Sequence, residues 1–402
     1  MIYIILFFIS FIGMYAYEIW HSNITSITVG KAFQRKKILF YHFECLALIL
    51  VAGLRYEVGG DTLIYMEYFK EDPSLTELAH FDFLTARFNP LWYVFQAICK
   101  SIINKFWFFQ LVHATVFNMI LFRFFRRHCN RFMTAAFLYT VYFFITFNTE
   151  TLRASLAICV WLFAFDFLLE KKWLKYYILC IIAMGFHTEA AITLVFPLCF
   201  VLKNIRINIV STSLIFGIAF IGILVFDLTS YISLLTFLAE RDMNKLMDFE
   251  GSTSFRFGLL AGLKVLIWVV MLWFIDKAGR KQFDGSNTNH HFELGKGVLI
   301  IYIIGLMLAM RYNTLFSRTM DFLSPIAILY AVYLLEVKRI VCTTNIRKAV
   351  FSISMTLYFL IGIFQWIPLW DRYNPYISVL NPRENTKLIQ YMEDDNYRVL
   401  HQ

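Results

Sequence analysis

Charge is scarce in this chain. Only 16% of its 402 residues are Asp, Glu, Lys or Arg, whereas 59% are hydrophobic and the mean hydropathy is +0.61. That balance excludes a water-soluble globular enzyme, which has no way to hide so much apolar surface. The seven cysteines (Cys45, Cys99, Cys129, Cys159, Cys180, Cys199, Cys342) lack any close paired spacing. Their scatter argues against a disulfide framework and a cysteine zinc site. The sequence has no Walker loop, dinucleotide fingerprint, metalloprotease helix or soluble-enzyme nucleophile motif. It also lacks an internal repeat and a low-complexity tract. The first hydrophobic segment has neither a basic leader nor a small-residue cleavage site, so a retained span is expected rather than a signal peptide. Adjacent His290 and His291 point in different directions and have no cysteine close by, so a solvated linker over 284–291 is expected rather than a metal site.

What is present is a series of apolar runs of the length, roughly 17–25 residues, that crosses a ~30 Å hydrocarbon core as helix. The expected fold is an all-α, polytopic transmembrane helical bundle. Full spans are placed at 1–20, 38–54, 107–125, 132–148, 151–169, 210–228, 258–276, 297–310, 319–335 and 349–367. Two further stretches, 89–104 and 176–201, are read as broken or re-entrant helices: the first is short, and Gly185, His187 and Glu189 interrupt the second.

Basic residues set the orientation, because short cytoplasmic loops are enriched in Lys and Arg. Clusters around Lys31–Lys37, Arg123–Arg131, Lys171–Lys175, Lys203–Arg206, Lys277–Lys296 and Lys338–Lys348 hold 21 of the 37 basic residues and can all face inside together. Both termini then lie outside, provided 89–104 and 176–201 each return to the side they entered from. The net charge of +9 reflects insertion orientation and calls for no nucleic-acid partner. The chain is read as a single integral membrane domain, 1–402, with external loops 55–88 and 229–257, a cytoplasmic loop 277–296 and an external tail 368–402.

Charged groups beside hydrocarbon are costly unless they are solvated, paired or bound to a ligand, so those at helix mouths mark candidate chemistry. In Leu54–Thr62, Gly59 and Gly60 permit a sharp turn while Arg55 and Asp61 supply opposite charges. The segment suits a phosphate or a sugar, or an Arg55–Asp61 pair that serves folding alone. Arg153 opens the span 151–169, where free backbone N–H groups favour an anion, and neighbouring Glu150 offers a charge to neutralise it. His187 is the natural proton acceptor for a sugar hydroxyl, or a histidine bonded to a neighbour. Arg311, Arg318 and Asp321 lie within about three helical turns and offer either an anion clamp or an Arg318–Asp321 pair on one face. Lys264, two turns into its span, snorkels outward or meets a polar cavity. Trp366, Trp370, Tyr373 and Tyr376 form a sugar platform or an interfacial aromatic belt.

In order and spacing these segments resemble the EpsG family of bacterial polysaccharide polymerases, which group with the Wzy-type O-antigen and capsule polymerases. The resemblance rests on Leu54-Arg55-Tyr56 with Gly60-Asp61 and Tyr65, and on Asn89-Pro90-Leu91. It continues through Thr151-Leu152-Arg153-Ala154-Ser155-Leu156-Ala157, Lys171-Lys172-Trp173-Leu174-Lys175-Tyr176 and Ala183-Met184-Gly185-Phe186-His187. Ser317-Arg318 and Asn374-Pro375-Tyr376 complete it. It implies a glycosyltransferase-C-like bundle in the bacterial cytoplasmic membrane with its active site facing outside. There the enzyme would join oligosaccharide repeat units carried on undecaprenyl pyrophosphate, without metal or other cofactor, in concert with a flippase and a chain-length regulator. On this expectation Arg55, Arg153, Arg311 and Arg318 stabilise the leaving pyrophosphate, Asp321 and Tyr376 contribute to substrate binding, and His187 or Asp61 is the base. A lipid-linked oligosaccharide flippase and a glycan-modifying membrane acyltransferase are the alternative readings.

Overall fold

The computed structural model describes residues 2–20, 31–83, 85–205, 216–218, 221–222, 255–282, 289–311 and 320–390. Among these residues the regular structure is helical and no strand forms, apart from the isolated bridges Arg55↔Ser378 and Ser378↔Asn381. Among the described residues, four helices are long and apolar enough to cross a membrane: Ile2–Trp20, Phe106–His128, Leu152–Leu169 and Asn345–Phe364. Shorter apolar helices occupy Phe132–Tyr142, Trp173–Phe186, Thr188–Leu202 and Leu294–Ala309. The protein is a helical membrane protein. Most of the expected span 210–228 and of the loop 229–257 lies outside the described residues.

Two compact units divide the chain: Met1–Phe167 with Lys172–Ala191 and Gly362–Gln402, and Leu168–Lys171 with Ile192–Ile361. In the first unit α1 (Ile2–Met14, extended by a π-turn over Tyr15–Trp20) packs on α2 (Lys31–Gly53) and α6 (Phe132–Tyr142). Helix α2 lies along α5 (Phe106–His128), and α4 (Pro90–Ile102) rests on α5 and α8 (Trp173–Phe186). Between α2 and α4 runs the short α3 (Thr62–Glu71), and α7 (Leu152–Leu169) precedes α8. Hydrocarbon competes for apolar side chains, so close backbone approach and buried polar contacts carry the specificity of such packing. A Cβ at Gly53 would lie 2.7 Å from the Leu111 Cα, and the Tyr41 hydroxyl donates to the Phe122 carbonyl at 2.9 Å. Glu18 caps α6: its carboxylate accepts from the backbone N–H of Met133 (3.0 Å) and Thr134 (2.8 Å), and Lys37 pairs with it at 2.7 Å. Leu39, Phe43, Leu46 and Leu50 are exposed along one stripe of α2, the pattern of a helix solvated by lipid rather than water.

The second unit joins α9 (Cys199–Leu202), α10 (Phe255–Gln282), α11 (Asn289–Arg311) and α12 (Ser324–Val341) with the body of α13 (Asn345–Phe364). Helix α11 offers Gly295 to Tyr330, Gly297 to the Cys199 backbone and Gly305 to Met320, contacts that leave no room for a side chain. An ion pair joins Lys296 to Asp276 at 3.0 Å. Asn289–His291 start α11 instead of prolonging the expected linker; the rest of that linker, 284–288, lies outside the described residues.

Two expected elements are broken. The run 132–148 stops as α-helix at Tyr142 and resumes as a π-turn over Thr146–Glu150 before α7 begins. Side chains that bond back to the main chain accompany the change: Asn148 donates to the Phe144 carbonyl at 2.7 Å and Thr149 to the Ile145 carbonyl at 2.7 Å. The stretch 176–201 breaks at His187, which is extended, and continues as 3-10 helix over Thr188–Leu198.

Candidate active site

The loop that leaves α2 turns its arginine inward. Arg55 is only 1% exposed, and its Nη1 donates to the Ala52 carbonyl. In the orientation that satisfies both groups, the Gln110 amide oxygen accepts from all three guanidinium nitrogens at 3.0–3.3 Å. Burial lowers the guanidinium pKa to about 10, against the raising influence of Tyr3, Tyr376 and Glu150, so Arg55 stays charged at neutral pH. Its backbone bridges Ser378, flanked by Tyr56 N–H to the Ile377 carbonyl and Val379 N–H to the Leu54 carbonyl, each 2.9 Å. The C-terminal segment is thus zipped onto the start of the loop. Tyr376 sits against Tyr3 and donates to the Val51 carbonyl at 2.9 Å.

Further along, Gly59 has φ 107°, a conformation that costs other residues strain, and a Cβ there would meet Thr149 and Thr62 at 2.9 Å. Its N–H donates to the Arg372 carbonyl at 3.0 Å. Glu150 holds the next two residues, accepting from Gly60 N–H at 2.8 Å and Asp61 N–H at 3.1 Å. The Tyr373 hydroxyl donates to the same carboxylate at 2.7 Å. Half-buried Asp61 is thereby presented just ahead of α3.

Arg153 belongs to the first turn of α7, which is fixed from behind. Asn118, Asn148 and Tyr139 close a ring of three buried hydrogen bonds at 2.7–2.8 Å, and His113 Nε2 lies 3.0 Å from the Leu152 carbonyl and 2.8 Å from Ser155 Oγ. The Arg153 guanidinium rests over the Phe88 ring at 4.3 Å, and its Nε is buried with no hydrogen-bond partner among the described residues. Phe88 in turn meets Tyr68 edge-on at 5.5 Å, and Arg87 covers the Tyr68 ring at 3.9 Å. Two guanidiniums therefore bracket one aromatic pair.

The next residue, Asn89, reaches α8. Its amide donates to the Met184 carbonyl and to Thr188 Oγ1, both at 3.0 Å, while Gly185 gives passage to Leu91, which a Cβ would strike at 2.7 Å. His187 follows directly, its Nδ1 accepting from the Glu189 N–H at 3.3 Å and lying 3.9 Å from the Glu189 carboxylate. The turn Phe88–Asn89 is therefore gripped by Arg153 on one residue and by the His187 segment on the other.

Several expectations are corrected. Arg55 pairs with Gln110 and the Ala52 carbonyl instead of Asp61, because the loop folds its arginine under the tail. Glu150 leaves Arg153 unneutralised, since its carboxylate is committed to Gly60, Asp61 and Tyr373. Trp366 donates to the Val141 carbonyl at 2.7 Å, so this residue, with Tyr373 and Tyr376, fastens the tail to the bundle. Asp321 lies in the second unit, where it interacts electrostatically with Lys264 and Tyr302. The side chains of Arg311 and Arg318 lie outside the described residues. The sequence reading missed Arg87, Arg372 and His113; of these only Arg87, one residue before the noted Asn89-Pro90-Leu91 segment, carried a local signal.

The fold is that of a helical membrane protein, and Arg153, His187 and Asp61 stand at or beside the ends of its helices. The chain belongs to the EpsG family, whose model matches residues 38–378. No curated protein and no solved structure matches it.

Proposed function

We propose that this chain is a polysaccharide polymerase, a membrane glycosyltransferase that joins oligosaccharide repeat units carried on a polyprenyl diphosphate such as undecaprenyl pyrophosphate. Membership of the EpsG family supports the polymerase class. The observation that carries the site assignment is the meeting of Arg153 and the His187 segment on the single turn Phe88–Asn89. In the reaction an acceptor hydroxyl attacks the anomeric carbon of the donor sugar. A new C–O bond forms there as the bond to the phosphate oxygen breaks, and the lipid diphosphate leaves with the electron pair. Arg153, aided by Arg87 across the aromatic pair, stabilises the negative charge that grows on the leaving group. His187 or Asp61 takes the proton of the acceptor hydroxyl. Arg55 acts from within, holding the loop that carries Asp61.

The proposal extends to ten crossings of the bacterial cytoplasmic membrane in a glycosyltransferase-C-like bundle, with the site at the outer leaflet. A flippase that delivers the lipid-linked unit and a regulator of chain length are the partners such a reaction uses.

The test is polymer formation from purified lipid-linked repeat unit in nanodiscs, with wild type beside Arg153→Ala and His187→Ala at matched folding. A product ladder from wild type that disappears in both variants is expected. Transport of the lipid without any ladder would instead make the protein a flippase.

A further inference from the structure

One side chain, that of Glu150, joins the segment Leu54–Thr62 to the start of α7. We propose that Glu150 is a positioning residue that locks the Asp61 loop, the C-terminal segment and the start of the Arg153 helix into one unit, with Tyr373 as its second anchor; this rests on the polymerase reading of the site.

Both carboxylate oxygens are used. Oε1 accepts from Gly60 N–H (2.8 Å) and the Tyr373 hydroxyl (2.7 Å), and Oε2 from Asp61 N–H (3.1 Å). A negative charge suits this place, because two successive N–H groups ahead of α3 point at it and the helix dipole adds its positive end. Burial first, and the charge and hydrogen bond of Glu150 next, raise the Tyr373 phenol above its ordinary value, so it remains a donor. Space is equally committed: a Cβ at Gly60 would lie 3.1 Å from Glu150 Oε2 and 3.4 Å from Arg372 Nη1. Glu150 closes the π-turn that ends three residues before Arg153. A shift of its carboxylate therefore moves Asp61 relative to Arg153, and misplacement of about 1 Å between reacting groups is enough to lower a rate about a hundredfold.

The experiment compares wild type, Glu150→Gln, Tyr373→Phe and the double variant in nanodiscs, by steady-state polymerisation and by hydrogen–deuterium exchange over residues 57–63. Glutamine keeps the shape but turns an N–H₂ toward one of the loop's donors. The expected result is a kcat lower by about 10- to 100-fold with KM within about twofold, and faster exchange at Gly60 and Asp61. Tyr373→Phe should lose less, and the double variant should be no worse than Glu150→Gln, since both act through one device. Wild-type kcat in Glu150→Gln overturns the proposal, whether or not exchange rises, and so does a loss confined to KM. If wild type itself makes no polymer, the polymerase reading has failed, and unchanged exchange in the variants would sink the latch separately.

Discussion

Arg153 lies with its guanidinium over the Phe88 ring, 4.3 Å from the ring centroid, rather than against a carboxylate. Replacing it by alanine should lower kcat/KM by about 10²–10³, the usual effect of removing one well-placed donor from a developing anion. Lysine should restore little, because an ammonium is a compact charge that does not bind two oxygens side by side as a guanidinium does. Recovery to within a few-fold of wild type in Arg153→Lys would contradict that geometry. Asp72 allows a pH test at the edge of the site, within reach of the Arg87 charge. Burial raises its carboxyl from 3.8 to about 6, against Lys100 and Arg87, which lower it, and with Glu71, which raises it further. The folded protein keeps this proton to a higher pH than the unfolded chain, so the Asp72 contribution is present in acid and is lost as pH rises from about 4 to about 6. Asp72→Asn should melt above wild type at pH 7 and close to it at pH 4; melts in nanodiscs at both values decide this. Of these residues, Arg153 was legible because an arginine at the head of an apolar run is conspicuous. Asp72 was one acid among many, because its burial depends on packing between α3 and α4.

At the level of elements, the site depends on breaks in helices. His187 stands in extended backbone because α8 ends one residue before it, and Gly185 lets Leu91 of α4 pass close to that end. Gly185→Ala should destabilise the protein by about 1–3 kcal/mol through overpacking. Adding Leu91→Ala should recover much of that loss, and a double variant as unstable as the sum of the singles would place the clash elsewhere. This break was readable from Gly185, His187 and Glu189 interrupting a hydrophobic run. The π-turn ahead of Arg153 was not, since the ring it joins links Asn148 to Asn118, thirty positions away. Tyr139→Phe leaves two buried amides short of a partner, and chemical denaturation should show a cost of about 1–3 kcal/mol.

For the whole molecule, the composition predicts a surface that lipid covers. Ile346, Val350, Ile353, Leu360 and Phe364 are exposed along α13 in the same manner as the stripe on α2. The distribution of basic residues further predicts that segments 229–257 and 283–288 lie on opposite sides of the membrane. Reporter fusions in the two segments should give opposite activities in cells. Matching activities would overturn the ten-span arrangement and with it the shared sidedness of the candidate segments.

Membrane class, helical fold and the short list of suspect segments were available from the order of amino acids, because hydropathy and helix propensity are local and add along the chain. Nothing local specifies which partner a charged side chain finds. Arg55 and Arg153 look alike in one dimension, yet one is buried against Gln110 and the other lies over Phe88. Glu150 stands closer in sequence to Arg153 than to Gly60, but folding turns it toward the latter. Those choices depend on segments from 55 residues apart (Arg55 and Gln110) to 223 apart (Glu150 and Tyr373) meeting in space, and a buried charge goes wherever that meeting leaves it hydrogen-bonded.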